Sequence, residues 1–257
     1  MERNPTARLE QVIAAIQRRW GTHALRLLGD AATAPAVPVV PTGFAALDAA
    51  LGIGGVPRGR LTEMLGTPTS GMTTIALTLI ARAQTQGDLA GYVDLSRTFD
   101  AEYAAHIGVD LVSLLLVRPS SAADALEIIQ ALIASGGVGV LVVDALALLQ
   151  SVPQDARLLE QALRVLPGVL AASPCAVLAL TPLPYSPEMA RSLAFTGSLL
   201  AHAASIRLHI IREAWLPAEQ GPPGCHARIS VLKHRLAPTK GDAQVLIRFA
   251  DEVKTWH

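Results

Sequence analysis

The apolar residues of this chain recur at two different spacings. Near the start they fall three or four positions apart, which predicts an amphipathic helix over residues 6–20. From residue 60 onward, short apolar runs alternate with helical patterns, and this alternation predicts an α/β domain whose mainly parallel sheet carries helices on both faces. The runs are RLTEMLG, AGYVDL, LLLVRP, VGVLVVDAL and CAVLAL. The stripe of the N-terminal helix consists of Leu9, Val12, Ile13, Ile16 and Trp20.

Two segments depart from this alternation. Residues 30–43, DAATAPAVPVVPTG, combine prolines with small side chains, so they are predicted to be an extended linker. This interpretation assigns residues 1–41 to an N-terminal arm and linker, and residues 42–257 to the main domain. Beyond residue 205, the strand-like segments SIRLHIIREAW, HARISVLKHR and AQVLIRFA are separated by turn residues, which predicts an antiparallel edge of the sheet.

Composition narrows the functional classes. Of the 257 residues 51% are apolar, which is ample for a buried core, and 21 basic residues balance 21 acidic ones. No global field therefore attracts nucleic acid or an anionic membrane, and any DNA contact must be local. The two cysteines, Cys175 and Cys225, are too few for a disulfide framework and are interpreted as thiols of a protein in the reducing cytosol.

The sequence also bears on export and membrane insertion. The N-terminal residues MERNPTARLEQ are too polar for a secretory signal. The longest apolar run, GVGVLVVDALALL, is too short to span a bilayer and contains an aspartate. We therefore expect a cytoplasmic protein with no membrane partner.

Residues 66–74, GTPTSGMTT, have the outline of a phosphate-binding loop, G-x-x-x-x-G-K-[ST], with Met72 at the lysine position. Gly66 ends a predicted strand and Gly71 permits a tight turn, so backbone N–H groups and the positive end of a helix would face a phosphate. Thr73 is placed to hold a magnesium ion. The predicted nucleotide-binding residues of this loop are Gly66, Thr69, Ser70, Gly71, Met72, Thr73 and Thr74.

A second acidic position supports the interpretation of the loop. Asp144 ends the apolar strand VLVVD and resembles the carboxylate that orients magnesium in nucleotide-hydrolysing folds. An aspartate at a strand end can instead cap a turn or a helix. Its position in the same βαβ frame as the loop favours a joint site in which Thr73 and Asp144 hold the metal.

The run LDAALGIGGVPRGRLTEMLGTPTSGMTT resembles the start of the RecA recombinase core. The resemblance continues through YVDLSRTFDAEYAAHIGVDLVSLLLVRP and ASIRLHIIREAW, and covers about residues 8–250. It implies a RecA-like P-loop NTPase core preceded by a helix and strand arm, which in that family packs on the next subunit of a filament. The small C-terminal domain of the family is expected to be absent.

The resemblance also implies what this site has lost and kept. Ser96 stands where the family has the glutamate that activates the attacking water, and Pro182 where it has a glutamine that senses the γ-phosphate. Asp100 and Tyr103 match residues that hydrogen-bond and stack on the adenine. We expect weak binding of ATP or ADP with Mg²⁺, no catalytic residue, and little hydrolysis, because Met72 and Ser96 supply neither the cation nor the base.

Two further groups of residues are assigned by the resemblance. Lys233 and Arg235 match a basic pair that reaches across the subunit interface to the neighbour's nucleotide, with charges on a solvated strand as the alternative. The two DNA loops match the stretch after Leu149 and residues 182–197. These stretches hold few cations, so binding of single-stranded DNA is predicted to be weak or partner-dependent. Candidate DNA-loop residues, with neutral loop packing as the alternative, are Tyr185, Arg191 and Phe195.

A core-only RecA relative with an eroded phosphate site resembles the ImuA group of bacterial mutagenesis accessory proteins. These act with a Y-family polymerase homologue and a replicative-type polymerase in damage-tolerant DNA synthesis. The first hypothesis is therefore a non-catalytic adaptor in DNA damage tolerance or recombinational repair. The expected partners are a RecA-type filament and a polymerase homologue.

Two other functions stay open. One is an active DNA-dependent ATPase and strand-exchange protein whose missing groups come from a neighbouring subunit. The other is a cell-division or signalling regulator that keeps only the scaffold. The helix over residues 6–20 must bury its stripe on its own core or on a neighbour, and we expect a monomer or small oligomer.

Overall fold

The computed structural model describes residues 5–22, 24–25, 37–186, 198–216 and 224–249. Two compact units divide between Ala36 and Val37. The first contains helix α1 (Pro5–Trp20), which confirms the amphipathic helix predicted from residue 6. Pro5 occupies its first position, where a missing N–H costs no helical hydrogen bond.

The second unit begins with a small addition that the sequence pattern did not reveal. Strand β1 (Val39–Val40) pairs antiparallel with β2 (Val56–Pro57), and helix α2 (Ala45–Leu51) connects them. Part of the predicted linker over residues 30–43 is therefore a paired strand. A strand of two residues is too short to show any periodicity, so its partner rather than its own sequence defines it.

An eight-stranded sheet organises the rest of this unit. Its strand order is β10-β9-β8-β3-β7-β6-β4-β5. The six strands from β8 to β5 in that order run parallel to their neighbours, whereas β8, β9 and β10 pair antiparallel. This confirms the predicted α/β class and its antiparallel edge. The strands are β3 (Arg60–Gly66), β4 (Ala90–Asp94), β5 (Leu114–Val117), β6 (Val140–Asp144), β7 (Ala176–Pro182), β8 (Ile206–Trp215), β9 (Gly224–His234) and β10 (Ala243–Arg248).

Helices cover both faces of the sheet. They are α3 (Met72–Thr85), α4 (Ala101–His106), α5 (Ala122–Ala134), a 3₁₀ helix (Leu146–Gln150), α6 (Pro153–Ala171) and α7 (Leu199–Ala203). Successive residues of a strand face opposite sides, so Val142 packs in the cluster that includes α3, and Val143 packs in the cluster that includes α5 and α6. The two clusters form the layers of the core. None of the described helices is long and apolar enough to cross a membrane.

Parallel pairing brings the ends of several strands to one edge of the sheet. Gly66 lies beside Pro182, and Asp94 lies beside Asp144. The loop after β3, the turn after β4 and the end of β6 therefore meet at the carboxyl edge, where open α/β sheets bind their ligands. The stretch after Leu149, which the sequence assigned to a DNA loop, is short because α6 begins at Pro153.

Candidate nucleotide site

The loop between β3 and α3 has the backbone of an anion-binding turn. Gly71 adopts φ 92° at the N-cap of α3, a conformation that glycine reaches without strain. A side chain at this position would also collide with Ile247. The first turn of α3 contains no acidic residue, so the positive end of the helix faces the loop without a neutralising carboxylate of its own.

The side chains of the loop divide between buried and exposed positions. Met72 is only 8% exposed and belongs to the main apolar cluster, so the residue at the lysine position packs into the core. Thr73 is exposed at the start of α3. Ser70 is buried, and its hydroxyl has no hydrogen-bond partner among the described residues. An unpaired buried hydroxyl is costly, and this one lies in the loop that would receive a phosphate.

Tyr103 connects helix α4 to the loop. Its phenol oxygen and the Thr74 hydroxyl share a hydrogen bond of 2.6 Å, and burial raises the pKa of the Tyr103 phenol. Asp100 is the N-cap of α4 and accepts the backbone N–H of Tyr103 at 3.0 Å. The carboxylate that the resemblance assigns to the adenine thus fixes the start of the helix that carries the tyrosine.

A cavity of about 360 Å³ lies over the loop. Residues 67–74 form its floor, and Tyr103, Trp215 and Phe249 contribute aromatic walls. The rings of Trp215 and Phe249 meet edge to face, with their centroids 5.8 Å apart. The cavity therefore combines a donor-rich end at the loop with aromatic surfaces of the kind on which a planar base stacks.

The turn after β4 holds the acidic edge of the site. The Ser96 hydroxyl donates to Asp144 Oδ2 at 2.7 Å and shares a bond of 2.6 Å with the Thr98 hydroxyl. Asp94 accepts from the backbone N–H of Thr98 at 2.9 Å and from Arg118 Nε at 3.0 Å. Both carboxylates at this edge are therefore engaged by donors of the chain itself.

These contacts set the ionisation of the neighbouring groups. Burial of Asp94 favours its neutral form, but the hydrogen bonds from Arg118, Thr98 and Phe99 outweigh burial and hold the pKa of Asp94 below its ordinary value. Burial, and then the adjacent Asp144 carboxylate, raise the pKa of Tyr92 far above its ordinary value. Asp94 thus stays anionic near neutral pH, and the Tyr92 phenol stays protonated.

Backbone strain concentrates at the same place. Thr69, Arg97 and Ala145 are the non-glycine residues with positive φ in the described part of the chain, at 64°, 57° and 58°. They lie in the loop, directly after Ser96 and directly after Asp144. Unfavourable conformations of this kind persist where the surrounding structure enforces them, which is common at ligand sites.

The basic pair assigned to the subunit interface makes contacts within its own chain. Lys233 Nζ donates to the carbonyls of Ala201 and His202 at 2.6 and 3.1 Å, and Arg235 donates to His202 at 3.2 Å. These carbonyls end α7, so the two cations complement its negative end. Burial first, and then the charge of Arg235, lower the pKa of Lys233.

The candidate DNA-loop residues are only partly described. Tyr185 is 72% exposed at the end of the segment that follows β7. Arg191 and Phe195 lie outside the described residues. The part of this loop that the structure describes therefore offers one aromatic side chain to solvent.

Three residues of the site were missed by the sequence reasoning: Arg212, Trp215 and Phe249. Arg212 Nη1 donates to the Thr69 carbonyl at 2.9 Å and contacts the Thr69 hydroxyl. Its guanidinium lies 4.0 Å from the centre of the Trp215 ring. Trp215 and Phe249, the aromatic residues that end the segments REAW and LIRF, could have indicated a site for a planar ligand. Their place at the loop follows only from the pairing of β8 with β3.

Comparison with known proteins agrees with this architecture. Residues 7–254 match the family described as RecA N-terminal domain. The chain is 38% identical over 249 residues to Protein RecA of Roseiflexus sp., covering 90% of this chain and 69% of the relative. It is 38% identical over 266 residues to Protein RecA of Thermus thermophilus, covering 97% and 78%, and 39% identical over 248 residues to that of Acidothermus cellulolyticus, covering 89% and 70%.

Proposed function

The chain belongs to the RecA family of recombination and repair proteins, and from this premise we propose that it is a nucleotide-binding adaptor with little or no ATP hydrolysis. Its setting would be DNA damage tolerance, including translesion synthesis, or recombinational repair. The proposal rests on the contacts of the side chains at the lysine position and at the position of the base. Met72 packs into the core, and the Ser96 hydroxyl donates a hydrogen bond to Asp144.

The loss of hydrolysis follows from those two positions. A neutral serine hydroxyl is too weak a base to take a proton from water near neutral pH, unlike the carboxylate of a glutamate. Removal of a positioned base costs about 10²- to 10⁴-fold in rate, and loss of charge stabilisation at the phosphoryl group costs a comparable factor. Together these losses would bring turnover close to background.

Binding of a nucleotide rests on different groups. The cavity over the loop offers the ring of Tyr103 for the base, and the start of α3 for the phosphates. Its dimensions and the unpaired hydroxyl of Ser70 fit such a ligand. When bound, Mg²⁺ would screen the phosphate charge, and the Thr73 hydroxyl and Asp144 would hold it. Asp100 would act through Tyr103, whose helix it caps.

The proposed partners follow from surfaces outside the cavity. Helix α1 carries an apolar stripe, which would dock on a neighbouring RecA-type subunit. Lys233 and Arg235 would exchange their contacts with the end of α7 for the neighbour's nucleotide. Contact with single-stranded DNA would be weak or depend on the partner, and a polymerase homologue is the further partner of this hypothesis.

One alternative function has specific support. Identity of 38% to RecA proteins over most of the chain favours an active DNA-dependent ATPase and strand-exchange protein. In that case a neighbouring subunit would have to supply both the cation and the base. Such an enzyme would turn over ATP only after assembly on DNA.

ATP turnover with and without single-stranded DNA, measured beside an equilibrium titration of ATP and ADP, separates the two functions. The adaptor binds nucleotide and shows no DNA-stimulated turnover, whereas the recombinase shows many-fold stimulation. The double variant Met72→Lys/Ser96→Glu is the matched control, because it restores both groups in the same scaffold. Absence of nucleotide binding in the wild type would overturn the nucleotide part of the proposal.

A further inference from the structure

We propose that Arg212 supplies the positive charge that the phosphate loop lacks at Met72. The ligand class is the phosphate chain common to ADP and ATP, so this inference rests on the proposed nucleotide site and names one of its binding residues. The cation would reach the loop from strand β8 rather than from helix α3. The loop would thereby keep a cation, although Met72, at the position of the usual lysine, packs into the core.

Arg212 lies against both the phosphate loop and the wall of the cavity. Residues 69 and 212 are 143 positions apart along the chain, yet Nη1 of the arginine donates to the carbonyl of Thr69 at 2.9 Å. Thr69 is the strained residue of the loop, with φ 64°. The guanidinium also stacks on Trp215, which forms a wall of the cavity over the same loop. One side chain therefore contacts both the loop and the cavity wall.

The charge of Arg212 also favours phosphate binding. No carboxylate of the described residues lies within ion-pairing distance of it. Several other arginines of the described chain pair with an acid, as in Arg58–Asp88, Arg118–Asp94, Arg207–Glu63 and Arg228–Glu213. The positive end of α3 adds to the same field, because its first turn contains no acid. An anion at the loop would meet an arginine that no carboxylate of the described residues neutralises.

The guanidinium of Arg212 has further donors for a phosphate. The guanidinium of Arg212 carries five N–H donors, and its hydrogen bonds to Thr69 use Nη1. Among the described residues, Nε and Nη2 have no hydrogen-bond acceptor. A guanidinium fork matches two phosphate oxygens, whereas a lysine acts as a point charge. The buried hydroxyl of Ser70, in the same loop, has no partner among the described residues and is a second donor available to a phosphate.

Arg212 could alternatively have only a structural role, in which it connects the loop to β8, and this role predicts a different result. That role affects the stability of the chain, or all ligands alike. A phosphate-binding role affects only ligands that carry phosphate. The two are separated by comparing phosphorylated and unphosphorylated probes in the same variant.

The experiment is calorimetric titration of the full chain with ADP, adenosine and pyrophosphate. Arg212→Gln should weaken binding of ADP and pyrophosphate by about tenfold or more, the usual effect of losing a charge-assisted hydrogen bond, and leave adenosine unchanged. Arg228→Gln, on the adjacent strand, is the matched control and should leave all three affinities unchanged. Introducing Met72→Lys into Arg212→Gln should recover part of the loss.

The titrations distinguish failure of the proposed nucleotide site from failure of the role of Arg212. Wild-type chain that binds none of the three probes overturns the proposed nucleotide site together with this inference. Wild-type chain that binds ADP with an affinity that Arg212→Gln preserves overturns the inference alone. If Arg212→Gln does not fold, Arg212→Lys replaces it, because it keeps the charge and loses the fork. ADP binding should then weaken less than tenfold while adenosine binding is kept, and equal loss for ADP and adenosine would establish the structural role.

Discussion

The hydroxyl of Ser96 donates to the carboxylate of Asp144 across neighbouring strands, at 2.7 Å. In the resemblance to RecA, these two positions hold the water-activating base and the metal-orienting acid. In this chain the position of the base holds the neutral hydroxyl of Ser96, which donates directly to the carboxylate of Asp144. A direct hydrogen bond of this length leaves no space for a water molecule between the two groups. This relationship determines the first prediction.

Neither Met72→Lys nor Ser96→Glu should restore ATP hydrolysis alone. Groups that act together in catalysis are grossly non-additive, so a lysine at position 72 without a base, or a base without that lysine, gains little. Arg212 would bind the phosphates that ADP and ATP share and would not replace a lysine directed at the transferred phosphoryl group. The measurement is phosphate release with saturating single-stranded DNA, with the wild type as background. Turnover stimulated many-fold by DNA in either single variant would contradict the prediction.

Tyr103→Ala should weaken binding of ADP and ATP about equally, because the site reads the base and the phosphates that both nucleotides share. Loss of one stacked aromatic ring costs about 1–3 kcal/mol, which is about five- to 150-fold in affinity. Tyr103→Phe is the control, since it keeps the ring and removes only the hydrogen bond to Thr74. A large preference of the wild type for ATP over ADP would show that the γ-phosphate is still recognised.

Acid unfolding should depend on Asp94. The pKa of this carboxyl is lower in the folded chain than its ordinary value of about 3.9, so its ionised form stabilises the fold. That stabilisation is fully present well above pH 4 and is lost as the pH falls through the folded pKa. Asp94→Asn should therefore lower stability at neutral pH and flatten its decline below about pH 4.

Arg118→Gln provides the matched comparison for Asp94, because it removes the ion pair and leaves the carboxyl. The pKa of Asp94 should then move upward, and the decline in stability should begin at a higher pH than in the wild type. Urea unfolding from pH 3 to pH 7 measures both variants. Identical pH profiles for the wild type and Arg118→Gln would show that the pair does not stabilise the fold.

The sequence predicted the parts of the fold that depend on local pattern. The apolar runs from RLTEMLG to CAVLAL form adjacent parallel strands. Four of the five are buried along most of their length, whereas β5, at the edge, is partly exposed, and all five are recognised from their own apolar residues. The loop over residues 66–74 was likewise visible, since its glycines define a turn between a strand and a helix. Both features are read from consecutive residues.

What the sequence did not reveal depends on contacts between distant segments. Arg212 reaches Thr69 because β8 pairs with β3, and Trp215 meets Phe249 near the ends of β8 and β10. The bond between Ser96 and Asp144 requires β4 beside β6 in one particular register. Such pairings follow from packing of the whole sheet, and a single sequence carries no direct signal for them.

The last prediction concerns assembly. Helix α1 has 16 residues, a length at which a helix alone is marginal in water, so its apolar stripe must be buried for the helix to persist. Burial on its own core would make it part of the fold. Burial on a neighbouring RecA-type subunit would make a head-to-tail contact, which propagates into a ring or filament unless it is capped.

We expect the second arrangement, because the resemblance to RecA includes the arm and assigns Lys233, near the end of β9, and Arg235, just after it, to a subunit interface. Deletion of residues 1–30 should then abolish co-purification with a RecA-type partner and reduce any self-association seen by sedimentation. The midpoint of thermal unfolding of the remaining chain should stay nearly unchanged, since a neighbour and not the core would hold the stripe. The double variant Ile13→Ser/Ile16→Ser tests the stripe without shortening the chain and should act in the same direction. A drop of several degrees in that midpoint, with assembly preserved, would mean that the arm folds on its own core.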